Sequence, residues 1–355
     1  MNNIPSNEFI WGNFAEFQLD FALEISALVY GHSAEKKLPG NPVLSMEYFK
    51  NKHLDSPFGE SIYIRKVEDD LMVGHIFLQK REFLNYGKTC VVLQASDLVS
   101  KSNRPLGGVK LFNKAKSISK ESSIPFINLS NNDSNNIYER FLKMQPIVEL
   151  DFRVALLNLN FANSYQRKEI LNFGSILLRH IRKILIGKVY QFRIVDEFNE
   201  EIDRILNTSI EKCELIGKRN SKIINWRFNK ANQKEYIRFQ VTFKKEIVGY
   251  FVFTTAHYLD KEIVVLVDFF VNKPSKRLGI AALHYVAQAF SGANFFLVPC
   301  NTNSLMAIKT FRFSSLKVPR RFVPQRIPFY VTESNSNLSG ALPRSHVTLF
   351  DTDIF

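Results

Sequence analysis

The sequence predicts an α/β chain of the α+β kind, folded as two similar halves, each a mixed, mainly antiparallel sheet flanked by helices. Three observations point there. The chain has 355 residues, a length that suits two domains better than one. Short runs rich in β-branched and aromatic residues, separated by turn residues, occur in both halves. One order of elements (strand, basic loop, helix, strand, Asn-rich loop) occurs twice, as a domain-scale duplication would give.

Residues 8–34 carry Phe14, Phe17, Leu19, Phe21, Ile25 and Leu28 near helical spacing, which predicts a helix ended around Pro42. Strand-like runs follow at 62–67, 72–79 and 89–95, the last two joined by the turn signal Asn85-Tyr86-Gly87. After a polar, glycine-containing stretch at 102–108, Val109, Phe112, Ala115 and Ile118 predict a helix with one buried face. A buried strand at 125–129, an Asn-rich loop at 131–136 and a short helix at 137–144 complete this half. Residues 170–188 read as a basic amphipathic helix, and a connector between halves fits it better than a membrane-surface helix. Strands at 236–243, 247–254 and 263–271, a basic loop at 273–279, a helix at 280–289 and a strand at 295–298 repeat the pattern. The expected division is 1–160, a helical connector 161–200, and 201–355.

Composition narrows the function. Hydrophobic residues make up 45% and charged residues 23%, an ordinary globular balance, and 32 phenylalanines supply material for large cores. Cys90, Cys213 and Cys300 are the chain's 3 cysteines, far apart and without a CxxC pair. That argues against a disulfide framework or a zinc site and fits a reducing, cytoplasmic setting. The first residues lack a basic stretch followed by an apolar core, so no signal peptide is expected, and no apolar stretch is long enough to span a bilayer. The net charge of +13 is spread over both halves. Without a recognition motif for nucleic acid, phosphate-rich small molecules suit it better. Neither GxxxxGK[ST] nor HExxH occurs, so nothing argues for a kinase or metalloenzyme, and no metal is expected.

Residues 97–109, DLVSKSNRPLGGV, lead a strand through a basic, glycine-containing loop into a helix. The unpaired N–H groups and positive dipole of a helix N-terminus hold phosphate well. Gly107 and Gly108 would let the backbone come close, and Arg104 adds charge. The segment resembles the pyrophosphate loop of the GNAT superfamily, Arg/Gln-x-x-Gly-x-Gly/Ala. Arg104 and Gly107 match; Val109 stands where a small residue is usual. Three further stretches are similar to GNAT proteins. NNDSNNIYERF (131–141) places Asn131, Ser134 and Tyr138 at the family's spacing. YFKNKHLDSPFGES (48–61) looks like a segment of tandem GNAT proteins, with Lys52, His53, Pro57, Phe58 and Gly59 matching and Ser56 in place of Asn. NWRF (225–228) resembles a Trp-Arg-aromatic motif, and VTLFDTD (347–353) a terminal strand with an acidic end.

The resemblance implies two GNAT-like domains and a CoA-dependent N-acyltransferase. Acetyl-CoA or another short acyl-CoA would be co-substrate, held by Leu98, Val99, Arg104, Gly107, Gly108, Val109, Asn131 and Ser134. Leu98 and Val99 would offer backbone N–H groups to the thioester oxygen. Asp97 would be the general base, Tyr138 the acid for the leaving thiolate, and His53 a base or substrate contact. Lys52, Arg81, Trp226 and Arg227 would contact the acceptor. The branch resembled works in surface-polysaccharide synthesis, which implies a dTDP-linked 3-amino-3,6-dideoxyhexose as acceptor. The second half, with one glycine in its basic loop and Asp268 placed like Asp97, would shape the acceptor pocket. Two other readings remain: an aminoacyl-tRNA-dependent transferase, and a non-catalytic GNAT pair acting as an interaction module.

Overall fold

The computed structural model describes residues 8–17, 46–68, 71–100, 107–129, 137–157, 181, 183, 189–209, 213, 215–229, 235–258, 261–301, 304–312, 314–318, 327–331 and 345–348. The chain divides into two units. The first holds Met1–Glu149, Asn229–Gln233 and Ile327–Ala341; the second holds Leu150–Phe228, Lys234–Arg326 and Leu342–Phe355. The boundary therefore falls inside a strand, and two later segments return to the first unit. Hydropathy along the sequence carries no signal for such returns.

In the first unit, β1 (Glu8–Asn13) is followed by a 3-10 turn, Phe14–Glu16, and α1 (Met46–Phe49) runs into a π turn, Lys50–Leu54. Then come β2 (Ile62–Glu68), β3 (Leu71–Asn85), β4 (Lys88–Ser100), α2 (Gly107–Glu121), β5 (Phe126–Leu129) and a second π turn, Ile137–Phe141. The strands lie side by side in chain order from β1 to β5, and strand Ile327–Val331 pairs β5 antiparallel. β4 and β5 pair in parallel, the connection between them passing through α2. The helix expected at 8–34 is a correction: residues 8–13 form β1, the antiparallel neighbour of β2. Phe9, Ile10 and Trp11 suit a pleated edge, and the β2 ladder outweighs the helical spacing that begins at Phe14. The remainder of that expected helix lies outside the described residues.

The β3–β4 hairpin is longer than the runs at 72–79 and 89–95 suggest. Tyr86 and Gly87, with φ of 49° and 75°, form a turn whose twist matches the flanking strands and carries pairing out to Asn85↔Lys88. Side chains alternate along β3. Ile76 and Leu78 join Leu111, Phe112, Ala115 and Ile118 of α2 in one core; Phe77 joins Phe14, Tyr48, Phe49 and Tyr63 in another. The short helix expected at 137–144 is one π turn, because the chain re-enters a strand at Gln145.

The second unit begins within β6 (Gln145–Leu156) and continues with β7 (Tyr190–Val195), α3 (Glu200–Ser209), β8 (Leu215–Gly217) and α4 (Ser221–Arg227). β9 (Ile237–Phe243), β10 (Glu246–Tyr258), β11 (Lys261–Val271), α5 (Lys276–Ala289), β12 (Phe295–Asn301), α6 (Leu305–Phe311) and β13 (Leu316–Lys317) follow. Strand Ile327–Val331, described above, is β14. Sheet order is β6-β12-β11-β10-β9-β7, with β11 and β12 parallel. The order β9-β10-β11-α5-β12 repeats β2-β3-β4-α2-β5, so the duplication read from the sequence is a repeated fold. α5 starts four residues before the expected 280, capped by Ser275 Oγ accepting from the Leu278 N–H. Most of the connector helix at 170–188 lies outside the described residues. Among the described residues no helix is long and apolar enough to cross a membrane.

Candidate active site

β4 is interrupted where the sequence places its candidate base. His75 pairs Val99 and Phe77 pairs Ser96, so Ile76 alone faces Asp97 and Leu98. Asp97 sits in this bulge with φ of 46°, a conformation that a non-glycine residue holds only when its surroundings fix it. Among the described residues the parallel ladder to β5 has rungs at Leu93 and Gln94 and none beyond. Leu98 and Val99 therefore lie past the last rung, with Leu98 half-buried and Val99 buried.

The π turn aims two side chains at Asp97. Lys52 Nζ and His53 Nε2 each lie 2.8 Å from Asp97 Oδ2. Lys52 also donates to the Tyr48 hydroxyl at 2.7 Å, and its carbonyl accepts from Gln79 Nε2 at 2.6 Å. His53 Nδ1 is 3.0 Å from Ser61 Oγ, and its carbonyl accepts from the Ser61 N–H. The ring stacks on Phe77 with centroids 3.9 Å apart. Since an ionised carboxylate only accepts, Nε2 carries the hydrogen toward Asp97; in neutral imidazole Nδ1 then accepts from Ser61. Burial pushes the Asp97 carboxyl up, but the Lys52 ammonium and the His53 N–H outweigh it and hold it well below the usual carboxylate range. Exposure separates the members: Asp97 is 13% exposed, Lys52 2% and His53 0%. Only the carboxylate of the three reaches solvent appreciably.

His75, on β3 beside the bulge, was not singled out by the sequence. It is fully buried, and among the described residues neither ring nitrogen has a partner at normal hydrogen-bond geometry. Burial lowers its pKa to about 4, partly offset by Asp97. The alternation of β3 is the signal that could have found it, because His75 shares a face with Phe77.

The other expected site residues divide. Gly107 and Gly108 open α2, and among the described residues a Cβ at Gly108 would meet Leu98 Cδ2, at an ordinary 3.4 Å. Val109 is half-buried in that first turn. Arg104, Asn131 and Ser134 lie outside the described residues. Tyr138 is buried against Phe112, and its hydroxyl accepts from Asn128 Nδ2. Arg81 is buried on β3 with its guanidinium over the Phe58 ring. Lys52, expected to touch acceptor, turns its ammonium to Asp97. Trp226 and Arg227 end α4 in the second unit, Trp226 half-buried and Arg227 buried.

The second unit places Asp268 near the position that Asp97 takes in the first, but in regular register with Val252 and with the bulge one residue earlier, at Val267. Gly74 pairs Ser100 and Gly249 pairs Val271, and each aspartate lies three residues before that partner. Its surroundings differ. Asp268 is wholly buried and clasped by Arg219, Tyr250 and Thr348. Gly279, the one glycine of the expected basic loop, is helical, and a Cβ there would lie 1.8 Å from the Thr310 carbonyl oxygen. It serves the packing of α5 on α6.

No protein-family model and no curated protein matches the chain. Among solved structures it is similar to a GCN5-related N-acetyltransferase from Anabaena variabilis, at TM-score 0.60 and 10% identity over 92% of this chain and 73% of that one. It is also similar to Saccharomyces cerevisiae N-myristoyltransferase with bound myristoyl-CoA, at TM-score 0.55 and 13% identity over 95% and 83%. A GCN5-related N-acetyltransferase from Kribbella flavida matches at TM-score 0.55 and 12% identity over 92% and 71%. At such identities the likeness shows the fold: two GNAT-like α/β domains.

Proposed function

We propose that the protein is a CoA-dependent N-acyltransferase whose active site lies in its first unit. The observation that carries this reading is the bulged end of β4, which sets an ionised, partly exposed Asp97 just before the helix that opens on Gly107 and Gly108. Acyl-CoA, when bound, supplies the activated thioester carbonyl. The first turn of α2 would hold its diphosphate, since unpaired N–H groups and the helix dipole favour anions there. Leu98 and Val99 lie past the last rung to β5, and their N–H groups would polarise the carbonyl, an effect worth about a hundredfold in rate or more. Asp97 would accept a hydrogen bond from the amine and pass its proton on. Tyr138, oriented by Asn128, is the candidate donor to the leaving thiolate.

The finer reading is transfer of an acetyl or short hydroxyacyl group to a dTDP-linked 3-amino-3,6-dideoxyhexose, for surface-polysaccharide synthesis. It is supported by the motif resemblances and by the net charge of +13, which suits two polyanionic substrates. Lys52, Arg81, Trp226 and Arg227 are its candidate acceptor contacts. The test is calorimetric binding of acetyl-CoA and free CoA to the wild type and to Gly107→Asp. Micromolar binding, abolished by the added carboxylate, is expected. No binding of either ligand to the wild type overturns the reading in favour of a tRNA-dependent or non-catalytic one.

A further inference from the structure

The parallel strands of the two repeats part at the same place. In the second unit the pairing of β11 with β12 runs from Ile263↔Phe295 to Val265↔Leu297, the last rung among the described residues. In the first, the pairing of β4 with β5 reaches Gln94↔Ile127. Counted from the rungs Gly74↔Ser100 and Gly249↔Val271, Val265 stands where Gln94 stands, and Phe269 where Leu98 stands. In the second unit the opening past the last rung holds the unit's own segment Ser345–Thr348, all of it buried. His346 Nε2 reaches the Phe269 carbonyl oxygen of β11 at 2.8 Å. On the β12 side, Asn301 donates its N–H to the Val347 carbonyl and accepts the Val347 N–H on Oδ1 at 3.0 Å. Asn301 Nδ2 donates to the Ser345 carbonyl at 2.9 Å, and the His346 N–H to the Leu215 carbonyl of β8 at 2.8 Å. The segment thus spans from β11 to β12 where the two strands no longer pair with each other.

We propose that Ser345–Thr348 is a built-in ligand, a removable seal in the slot of the second unit that matches the pantetheine slot of the first. The match to pantetheine rests on the acyl-transfer reading. If the thioester lies at Leu98 and Val99 and the diphosphate at α2, the arm joining them runs through the opening past Gln94. The chemistry of the two occupants is alike. Where parallel strands part, their buried backbone groups need other partners. A pantetheine arm offers amide N–H and carbonyl groups, and the segment offers the same groups from its own backbone. Its imidazole supplies the contact to β11. A carbonyl oxygen only accepts, so Nε2 carries the hydrogen, and Nδ1 of the neutral ring accepts from Ser304 Oγ at 2.9 Å. Thr348 carries the seal on to Asp268, its hydroxyl donating to Oδ1 at 2.6 Å. Val347 adds a wholly buried apolar side chain. A tethered segment outcompetes a free ligand of like chemistry, because its effective concentration beside the slot is high. Its pairing with β8 is a single bridge, Ile216↔His346, so it can leave while β11 and β12 stay paired.

The probe is pantetheine, which carries the arm without the phosphates. The backbone amide resonances of Phe269 and Asn301 are followed while it is titrated to millimolar concentration. In the wild type neither should move. His346→Gly removes the ring and should admit pantetheine, shifting both, and added imidazole should compete with it for the vacated space. Pantetheine shifting either amide of the wild type overturns the proposal. So does a His346→Gly chain that melts cooperatively and shows no shift at either. Hydrogen exchange in the wild type decides the matter should that variant not fold. The Val347 amide should exchange about tenfold or more faster than the Val264 amide, which lies within the paired stretch of β11. Equal rates overturn the removable seal. Calorimetric CoA binding to the wild type tests the acyl-transfer reading separately. CoA binding with an unresponsive, folded His346→Gly sinks the seal alone. A pantetheine response in His346→Gly without CoA binding to the wild type supports the seal and sinks that reading alone.

Discussion

At the scale of residues, the site is a problem of buried charge. Lys52 is almost fully buried and forms an ion pair with Asp97. Removing one member of a buried pair leaves the other unbalanced, which costs about 3–5 kcal/mol. Asp97→Asn should therefore lower stability in denaturant titrations as well as activity, whereas Asp97→Asn with Lys52→Met should recover most of the stability and none of the activity. Asp97 also contributes to acid sensitivity. Its carboxyl is held below the usual value, so its contribution is fully present above about pH 4 and lost as pH falls further.

His75 and His346 act in a higher window. Both are buried, with pKa lowered from 6.5 to about 4 by desolvation. The unfolded chain takes up their protons first as pH drops, so stability should fall between pH 6.5 and 4, by roughly 3 kcal/mol for each. They differ in what they offer when neutral. His346 is satisfied, with Nδ1 on Ser304 Oγ at 2.9 Å and Nε2 on the Phe269 carbonyl at 2.8 Å. Among the described residues neither His75 nitrogen has a partner at normal hydrogen-bond geometry, and the ring lies against Tyr63 and Phe77. His75→Phe should raise stability at neutral pH by about 1–3 kcal/mol, because it removes buried polar atoms without partners. Denaturant midpoints at pH 7 and pH 5 check both statements; a destabilised His75→Phe would show that the ring nitrogens are satisfied in solution.

At the scale of elements, the two helices that follow the bulged strands begin differently. α2 begins with two glycines, and at Gly108 a methyl group would fit. Gly108→Ala should fold normally and gain up to about 1 kcal/mol of helix propensity. Gly279→Ala in α5 should cost several kcal/mol, since its Cβ would fall 1.8 Å from a backbone oxygen of α6 that cannot swing away. Thermal melts of the two variants decide the matter. Equal tolerance would remove the packing role assigned to Gly279 and reopen α5 as a second phosphate site. The same comparison shows how legible the elements were. Glycine-rich entry into α2 and the period of its buried face are local, and both were readable. The early start of α5 was not, because Lys276 and Arg277 look like loop residues until the Ser275 cap is seen.

At the scale of the whole molecule, the repeated fold carries an aspartate near the end of the third strand of each repeat, paired with Lys52 and His53 in one unit and with Arg219 in the other. One CoA per chain is the expected calorimetric stoichiometry; two would mean that the second unit binds despite Arg219. Arg219→Met should strip Asp268 of two of its four hydrogen bonds among the described residues, destabilise the chain by about 3–5 kcal/mol and leave the CoA dissociation constant unchanged. The net charge of +13 predicts that the Michaelis constants for polyanionic substrates rise with ionic strength.

The sequence was enough for the class of fold, the repeat and most strands and helices, since period, turn residues and glycines act over a few neighbours along the chain. It also picked out Lys52, His53 and Asp97 as separate candidates. It gave no sign that a π turn and a strand bulge 44 positions apart bring His53 and Asp97 within 2.8 Å, or that Lys52 shares the same oxygen. Nor did it reveal that Asp268, in the matching place, is closed by Arg219. Those outcomes depend on which side chains meet across the sheet, and a bulge shifts that register by one residue without marking the sequence around it.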